Sequence, residues 1–197
     1  MPSFSVGYFV GSLASNSLNR QLAQALIGLA PQNLTFREIA IRDLPLYSSD
    51  YDKAYPPAGV AFKEQIDAVD AVLFVTPEYN RSIPGALKNA IDWASRPYGK
   101  NSFARKPSAT IGTSPGKIGT AVAQQHLKSI LSFCNSPQMN AIEAYVQFTP
   151  NLITDDGKVT DASTEEFLAS YMKEFANFIG RVYTALPRQS GPIARVE

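Results

Sequence analysis

The sequence is poor in the residues that most often carry covalent or metal chemistry, since its 197 residues include one cysteine, Cys134, and one histidine, His126. These two residues cannot supply an internal disulfide, a Cys/His zinc site, a Cys-x-x-Cys redox pair or the ligands of an iron–sulfur cluster. They are eight residues apart on a predicted helix, so about 12 Å of helical rise keeps them from acting as a nucleophile and its base. We therefore interpret Cys134 as a core residue and His126 as a helix-surface or interface residue, and any redox centre must be bound from outside.

The sequence also lacks an excess of charge of one sign and any long hydrophobic run. Its 18 basic and 17 acidic side chains nearly cancel, which gives no electrostatic reason to expect nucleic acid or an anionic membrane as a partner. No apolar stretch reaches the ~18 residues of a membrane span, and no basic segment precedes the first apolar run, as it would in a signal peptide. We expect a cytoplasmic protein with no nucleic-acid or membrane partner and no bound metal.

Apolar runs alternate with helical patterns along most of the chain. The fraction of hydrophobic residues, 45%, is typical of a globular protein, and the length suits a single α/β domain. We predict strands at Phe4–Val10 and at residues 34–41, 71–76, 109–113 and 142–148, and helices at residues 19–30, 59–68, after Pro84, 118–134 and 164–186. The alternation predicts an α/β fold with one doubly wound, five-stranded parallel sheet in the flavodoxin-like order 2-1-3-4-5.

The predicted domain covers residues 1–186, and residues 187–197 are expected to form a flexible tail because they lack apolar periodicity. Residues 44–57 form a long loop with three prolines and three tyrosines, and its length indicates a function. In a doubly wound sheet, ligands bind beside the carboxyl ends of the strands. The loops after the first, third and fourth strands are therefore the candidates for a site.

Residues 11–19, called loop A, follow the first strand and open the first helix with the sequence Gly-Ser-Leu-Ala-Ser-Asn-Ser-Leu-Asn. A helix N-terminus offers unpaired N–H groups and a partial positive charge, which favour a phosphate. Ser12, Ser17 and Asn19 can add side-chain hydrogen bonds, although Ser17 or Asn16 can also serve only to cap the helix. The loop lacks the glycine fingerprint of dinucleotide-binding folds and the Gly-Lys-Ser/Thr of nucleotide triphosphatases, so a monophosphate fits better.

Residues 77–84, called loop B, follow the third strand and read Pro-Glu-Tyr-Asn-Arg-Ser-Ile-Pro. Two prolines restrict the backbone, so the loop can present N–H and C=O groups in a preset geometry to a flat heterocycle such as an isoalloxazine ring. Pro84 suits the first turn of the next helix, with Ser82 or Ile83 at the N-cap. An ordinary strand–helix turn does not explain the polar Glu-Tyr-Asn cluster between the two prolines.

Residues 113–119, called loop C, follow the fourth strand with the sequence Thr-Ser-Pro-Gly-Lys-Ile-Gly and open another helix at the same edge. Loop A has the pattern Gly-Ser-Leu-x-x-x-Ser-x-Asn, loop B begins Pro-Glu-Tyr-Asn and ends in Pro-Gly with Gly85, and residues 87–93 read Leu-Lys-Asn-Ala-Ile-Asp-Trp. With these motifs, residues 4–183 resemble the NADPH-dependent FMN reductase family. The resemblance is greatest to its bacterial branch of soluble quinone, chromate and ferric reductases.

The resemblance implies a non-covalent FMN, a homodimer or homotetramer, and reduction of small acceptors by NADPH or NADH. The acceptors it implies are quinones, with chromate, ferric complexes, azo compounds and nitro compounds as further candidates. It also implies a role for the residues of each loop. The FMN phosphate would be bound by Ser12, Ser17, Leu18 and Asn19, the flavin would be surrounded by Pro77, Glu78, Tyr79 and Asn80, and its pyrimidine edge would meet Ser114, Pro115 and Gly116.

Two positions depart from the family pattern. Ala14 stands where the family usually has arginine, and Thr120 follows Gly119 where it usually has a second glycine. The missing arginine removes a charge beside the phosphate or the incoming nicotinamide cofactor. The candidates to replace that charge are Arg20, Arg81, Arg96 and Lys117, and the alternative for each is an ordinary solvated surface charge. Arg96, just after Asp92-Trp93, is the best of them as a residue on the rim for the nicotinamide or the acceptor.

In such a reductase the flavin performs the chemistry and no catalytic side chain is required. Donor and acceptor would use the same flavin face in turn, a ping-pong mechanism, beside tyrosines of residues 47–55 from a neighbouring subunit. A flavodoxin-type electron carrier without nicotinamide turnover and a flavin-dependent redox sensor are the alternatives. Such carriers are usually strongly acidic, whereas this chain has a net charge of +1.

Overall fold

Five parallel strands form one sheet in a computed structural model that describes residues 2–187. The strands are β1 (Phe4–Val10), β2 (Leu34–Glu38), β3 (Ala71–Val75), β4 (Ser108–Ser114) and β5 (Tyr145–Gln147). The helices are α1 (Leu18–Gly28), α2 (Pro57–Asp67), α3 (Gly85–Ser95), α4 (Ala121–Phe133) and α5 (Ala162–Ala185), with one 3-10 turn at Ser49–Lys53. The sheet order is β2-β1-β3-β4-β5, which confirms the predicted fold.

The central strand β3 has both faces buried, which explains its uninterrupted apolar sequence. Its side chains alternate between two cores, as the two-residue period of a strand requires. Ala71, Leu73 and Val75 pack on the side of α1 and α5, whereas Val72 and Phe74 pack on the side of α2, α3 and α4. No helix among residues 2–187 is long and apolar enough to cross a membrane.

Element boundaries differ from the predicted ones where the backbone leaves regular geometry. Helix α3 has Pro84 at its N-cap, so the prediction of Ser82 or Ile83 at that position is wrong. Ser82 is instead hydrogen-bonded to Tyr79 within a tight turn. Helix α4 begins at residue 121 and not at 118. Gly119 has a positive φ of 57°, which a right-handed helix does not allow, so the helix starts after this residue.

The two rare residues lie on α4 or at its end. Cys134 is buried at the C-cap of α4, and burial raises the pKa of its thiol, as expected for a core cysteine. His126 is exposed on α4 with Nδ1 3.1 Å from the Ser82 hydroxyl, which confirms its place on the helix surface. Of the predicted tail, residues 188–197 lie outside the described part, so the tail and the domain boundary at residue 186 stay predictions.

Candidate functional site

Loops A, B and C lie side by side because they follow three adjacent parallel strands, β1, β3 and β4. Neighbouring strands are about 4.8 Å apart, and two glycines allow the closest approaches. A Cβ on Gly11 would lie 2.9 Å from Oγ1 of Thr76, and a Cβ on Gly112 would lie 2.0 Å from the Thr76 carbonyl oxygen. Any larger residue at these positions would push loop A or β4 away from the start of loop B.

The side chain of Asn19 connects loop A to loop C. Its Nδ2 donates to the Thr113 carbonyl at 3.0 Å, and its Oδ1 accepts from the Thr113 amide at 3.0 Å. Both residues are buried, and both polar atoms of the Asn19 side chain have a partner inside the protein. We expected this side chain to contact a phosphate; the structure gives it Thr113 as partner and leaves the backbone N–H of Asn19 as a donor.

Loop A presents hydrogen-bond donors at the N-terminus of α1. Ser17 is the N-cap and its Oγ accepts from the Arg20 amide, while Oγ of Ser12 accepts from the Ala14 amide. Each hydroxyl therefore keeps its proton for donation to a ligand. The amides of Leu18 and Asn19 take part in none of the hydrogen bonds described for residues 2–187, as expected for the first helical turn. No acidic residue lies in that turn, so the donor set fits an anion.

Loop B contains a tight turn with two residues in the left-handed backbone region. Tyr79 and Ser82 exchange backbone hydrogen bonds of 2.9 and 3.0 Å, and Asn80 and Arg81 between them have φ values of 52° and 64°. Two consecutive positive φ angles define a type I′ turn, which asparagine tolerates better than most residues. The turn holds Tyr79 at the surface, where 52% of its area is exposed.

The Glu78 side chain joins loop B to the start of α4. Its Oε2 accepts from the amides of Val122 and Ala123 at 3.0 and 3.1 Å, where a carboxylate complements the partial positive charge of the helix N-terminus. Its Oε1 lies 3.4 Å from Nη1 of Arg81. Glu78 thus faces the protein with its side chain, and only its backbone is available to a flavin.

Loop C is held in shape by the Ser114 hydroxyl. This group donates to the Gly119 carbonyl at 2.7 Å and accepts from the Gly116 amide at 3.2 Å. The Pro115 carbonyl accepts from Gln147 of β5 at 3.1 Å. Ser114, Pro115 and Gly116 therefore lie together at the carboxyl end of β4, on the same sheet edge as loops A and B.

Two of the four candidate cations already have carboxylate partners, and a third is remote. Arg20 makes two hydrogen bonds of 2.8 Å to Glu38, which lower the pKa of the Glu38 carboxyl, so Arg20 is not available to a phosphate. Arg81 pairs with Glu78. Arg96 is the C-cap of α3, whose 11 residues rise by about 16 Å from loop B. Within one chain the structure therefore separates Arg96 from the loops, contrary to the expectation of a rim residue.

The tyrosines of residues 44–57 pack around Trp93 of their own chain. The rings of Tyr47, Tyr51 and Tyr55 have centroids 5.5, 5.3 and 5.1 Å from that of Trp93. Trp93 also donates from Nε1 to the Pro45 carbonyl at 2.7 Å. These half-buried rings hold the loop against α3 of their own chain, and their expected place beside the site of a neighbouring subunit stays a prediction.

Contacts with the same loop explain the sequence motif at residues 87–93. Asn89 accepts from the Tyr47 amide at 2.9 Å and donates to the Pro45 carbonyl at 3.0 Å. Its amide and the indole of Trp93 face one side of α3, four residues apart, and hold the long loop in place. Asn89 and Trp93 of this motif thus support the loop at residues 44–57, and we assign them no contact with a ligand.

Sequence reasoning missed one residue beside loop A. Arg42 follows β2, and its Nη2 donates to the Leu13 carbonyl of loop A. Because β2 and β1 are neighbours in the sheet, the segments after them meet at one edge. That adjacency, which follows from the predicted strand order, is the signal that could have identified Arg42.

Comparisons with known proteins show which family the chain resembles. A model of the NADPH-dependent FMN reductase family matches residues 4–150. The chain is 45% identical over 174 residues to a 2-hydroxy-1,4-benzoquinone reductase of Burkholderia sp., a match that covers 88% of this chain and 95% of that protein. It is also 45% identical over 177 residues to a quinone reductase of Pseudomonas putida, with coverage of 89% and 95%.

A solved structure gives the same result. The flavoenzyme NAD(P)H:(acceptor) oxidoreductase from Paracoccus denitrificans has 46% sequence identity and a TM-score of 0.87, with 90% of this chain and 98% of that one covered. The chain belongs to the NADPH-dependent FMN reductase family. Family membership confirms the predicted resemblance, and with it an oxidoreductase that uses FMN and a nicotinamide cofactor.

Proposed function

We propose that this protein reduces quinones with electrons from NADPH or NADH through a non-covalent FMN. One observation carries the proposal. The N-terminus of α1, which offers hydrogen-bond donors and no acidic side chain, lies at the same edge of the sheet as loops B and C. The quinone reductases that are 45% identical over most of the chain support quinones as the acceptor class. Chromate, ferric complexes, azo compounds and nitro compounds are secondary candidates.

The chain's own residues divide into those that bind and those that position. Donation from the Ser12 and Ser17 hydroxyls and from the amides of Leu18 and Asn19 would hold the FMN phosphate. The backbones of Pro77, Glu78, Tyr79 and Asn80 would meet the flavin ring, and those of Ser114, Pro115 and Gly116 its pyrimidine edge. The side chains of Asn19 and Glu78 keep the three loops in register.

When bound, FMN would supply the two-electron redox chemistry between the nicotinamide and the acceptor. The protein contributes rigid N–H donors at the sheet edge, which stabilise negative charge without reorganising during the reaction. Because Tyr79 leaves half its surface exposed beside the loops, we expect an open face that receives donor and acceptor in turn. This arrangement gives ping-pong kinetics.

Anaerobic mixing of the yellow protein with NADPH or NADH tests the proposal. The visible FMN band should bleach rapidly, and benzoquinone should restore it. Steady-state double-reciprocal plots should be parallel. Intersecting lines would contradict a shared face, and bleaching without turnover of any quinone would favour a redox sensor. Failure of both nicotinamides to reduce the FMN would favour an electron carrier.

The proposal includes a cytoplasmic homodimer or homotetramer. A single chain leaves several large apolar side chains exposed, among them Leu46 at 83%, Tyr98 at 86% and Phe133 at 83%. Burial of such side chains against a second copy would be favourable. Light scattering at micromolar concentration should give the mass of two or four chains, and a fully active monomer would contradict the assembly.

A further inference from the structure

The Arg42 guanidinium lies beside the loop from which the family's usual arginine is missing. It donates from Nη2 to the carbonyl of Leu13, the residue immediately before Ala14. A guanidinium has five N–H donors, so one bond to a carbonyl leaves the others to point elsewhere. Arg42 is exposed, and no ion pair within residues 2–187 uses it.

Loop A itself supplies no positively charged side chain for a phosphate. Loop A contains no basic side chain before Asn19, and the helix N-terminus provides only about half a charge against a phosphate dianion. Arg20 is bound to Glu38 by two hydrogen bonds. Arg81 faces Glu78, and Arg96 caps the far end of α3. Lys117 on loop C is the remaining alternative.

We propose that Arg42 is the cation of the FMN phosphate site and takes over the role of the arginine that is absent at position 14. The Leu13 carbonyl accepts from Nη2 of Arg42, and the remaining N–H donors would be available to the phosphate oxygens. Arginine suits this task better than lysine, because a planar fork can bind a carbonyl and a phosphate together. The proposal rests on the binding of FMN that the family membership gives.

Flavin titrations of the apoprotein, followed by fluorescence quenching, test this role without catalysis. Riboflavin has the ring of FMN but no phosphate, so it reports on the ring site alone. Arg42→Ala and Arg42→Gln should each raise the dissociation constant of FMN about tenfold to a hundredfold, which is the loss expected for a charge-assisted contact. The dissociation constant of riboflavin should change by less than about twofold in both variants, because neither substitution removes a contact to the ring.

Two further variants complete the test. Arg37→Ala removes an exposed arginine from β2, away from loop A, and should leave FMN binding unchanged. Ala14→Arg in the Arg42→Ala background should restore much of the lost affinity. Raising the salt concentration should weaken FMN binding more in the wild type than in Arg42→Ala.

Three outcomes would overturn the proposal. Equal losses of FMN and riboflavin affinity would show that Arg42 only supports the shape of loop A. Unchanged FMN affinity in Arg42→Ala would show that backbone and hydroxyl donors suffice. A loss in Lys117→Ala and not in Arg42→Ala would assign the charge to loop C. If the wild-type chain bound neither flavin, the proposed function would fail before Arg42 was tested.

Discussion

The two edges of the sheet use their polar groups differently. At the amino edge, the Ser136 hydroxyl donates to the Lys106 carbonyl at 2.7 Å and lies 2.8 Å from the Ser108 hydroxyl, with both serines buried. At the carboxyl edge, the hydroxyls of Ser12 and Ser17 each accept one bond and keep a proton for a ligand. These serines of the amino edge thus bond to other groups of the protein, whereas the carboxyl edge keeps donors that we propose serve a ligand.

The difference shows how a rigid site can be built from loops. At the carboxyl edge, the side chains of Asn19 and Glu78 are used to connect loops to one another. We propose that recognition is left mainly to hydroxyls and backbone N–H groups, whose positions follow from these connections. Preorganised donors of this kind bind a ligand without a large ordering cost.

The largest effect is expected at the connection between loops A and C. Asn19→Ala leaves the buried N–H and C=O of Thr113 without partners, and each such group costs about 1–3 kcal/mol. We expect the free energy of unfolding of the apoprotein to fall by about 2–4 kcal/mol. Urea denaturation without flavin measures it, so loss of ligand does not contribute.

Asn16→Ala is the matched control for that change. Asn16 is an exposed asparagine of the same loop, and its loss should change the stability by less than about 0.5 kcal/mol. Similar values for the two variants would mean that the Asn19 connection contributes nothing beyond an ordinary surface residue, and the contrast between the two edges would disappear.

Glu78→Ala should have the next largest effect. It removes the carboxylate from two amides of α4, and the loss of a helix cap costs about 1–2 kcal/mol. FMN should also bind more weakly, because loop B loses its connection to α4. Arg81→Ala removes the other contact of Glu78, which is 3.4 Å long and comes from an arginine whose side chain is 68% exposed, and should cost less than about 0.5 kcal/mol. A larger loss of stability in Arg81→Ala than in Glu78→Ala would mean that the main partner of Glu78 is Arg81 and not the N-terminus of α4.

Ser136→Ala tests the amino edge directly. Removal of its buried hydroxyl should lower the free energy of unfolding by about 1 kcal/mol. The dissociation constant of FMN should stay within about twofold, because the change lies at the opposite edge from loops A to C. Urea denaturation and flavin titration of the same preparation give both values. A clear loss of FMN affinity would show that the two edges are coupled.

The smallest effect concerns Lys63 on α2, which donates to the carbonyls of Ala94 and Lys100 at 2.7 and 2.6 Å. Burial lowers the pKa of Lys63 from 10.5 to about 8. Between these values the unfolded chain holds a proton that the folded chain has lost, so the contribution of Lys63 to stability rises with pH. Relative to Lys63→Met, the wild type should gain less than about 1 kcal/mol between pH 8 and pH 9.5. A loss over that interval would contradict the lowered pKa.

The sequence predicted the sheet order and the positions of the three loops, because both follow from the periodicity of apolar residues and from the glycines and prolines between the elements. It did not predict that the side chains of Asn19 and Glu78 face the protein. Their partners are 94 and 44 residues away, and no local pattern records such contacts. For a related reason, the adjacency of Arg96 to Asp92-Trp93 in the sequence did not show that the length of α3 separates it from loop B of its own chain.

The connection between Asn19 and Thr113 also sets an order of events during synthesis. Loop A and loop B are complete once residue 84 has been made, yet the backbone that receives Asn19 follows almost thirty residues later. A nascent chain on the ribosome therefore carries most of the motif residues before it can hold them in place. The connection between loops A and C can form only after β4 has emerged and joined the sheet, so the arrangement of these loops is a late event in the maturation of each polypeptide.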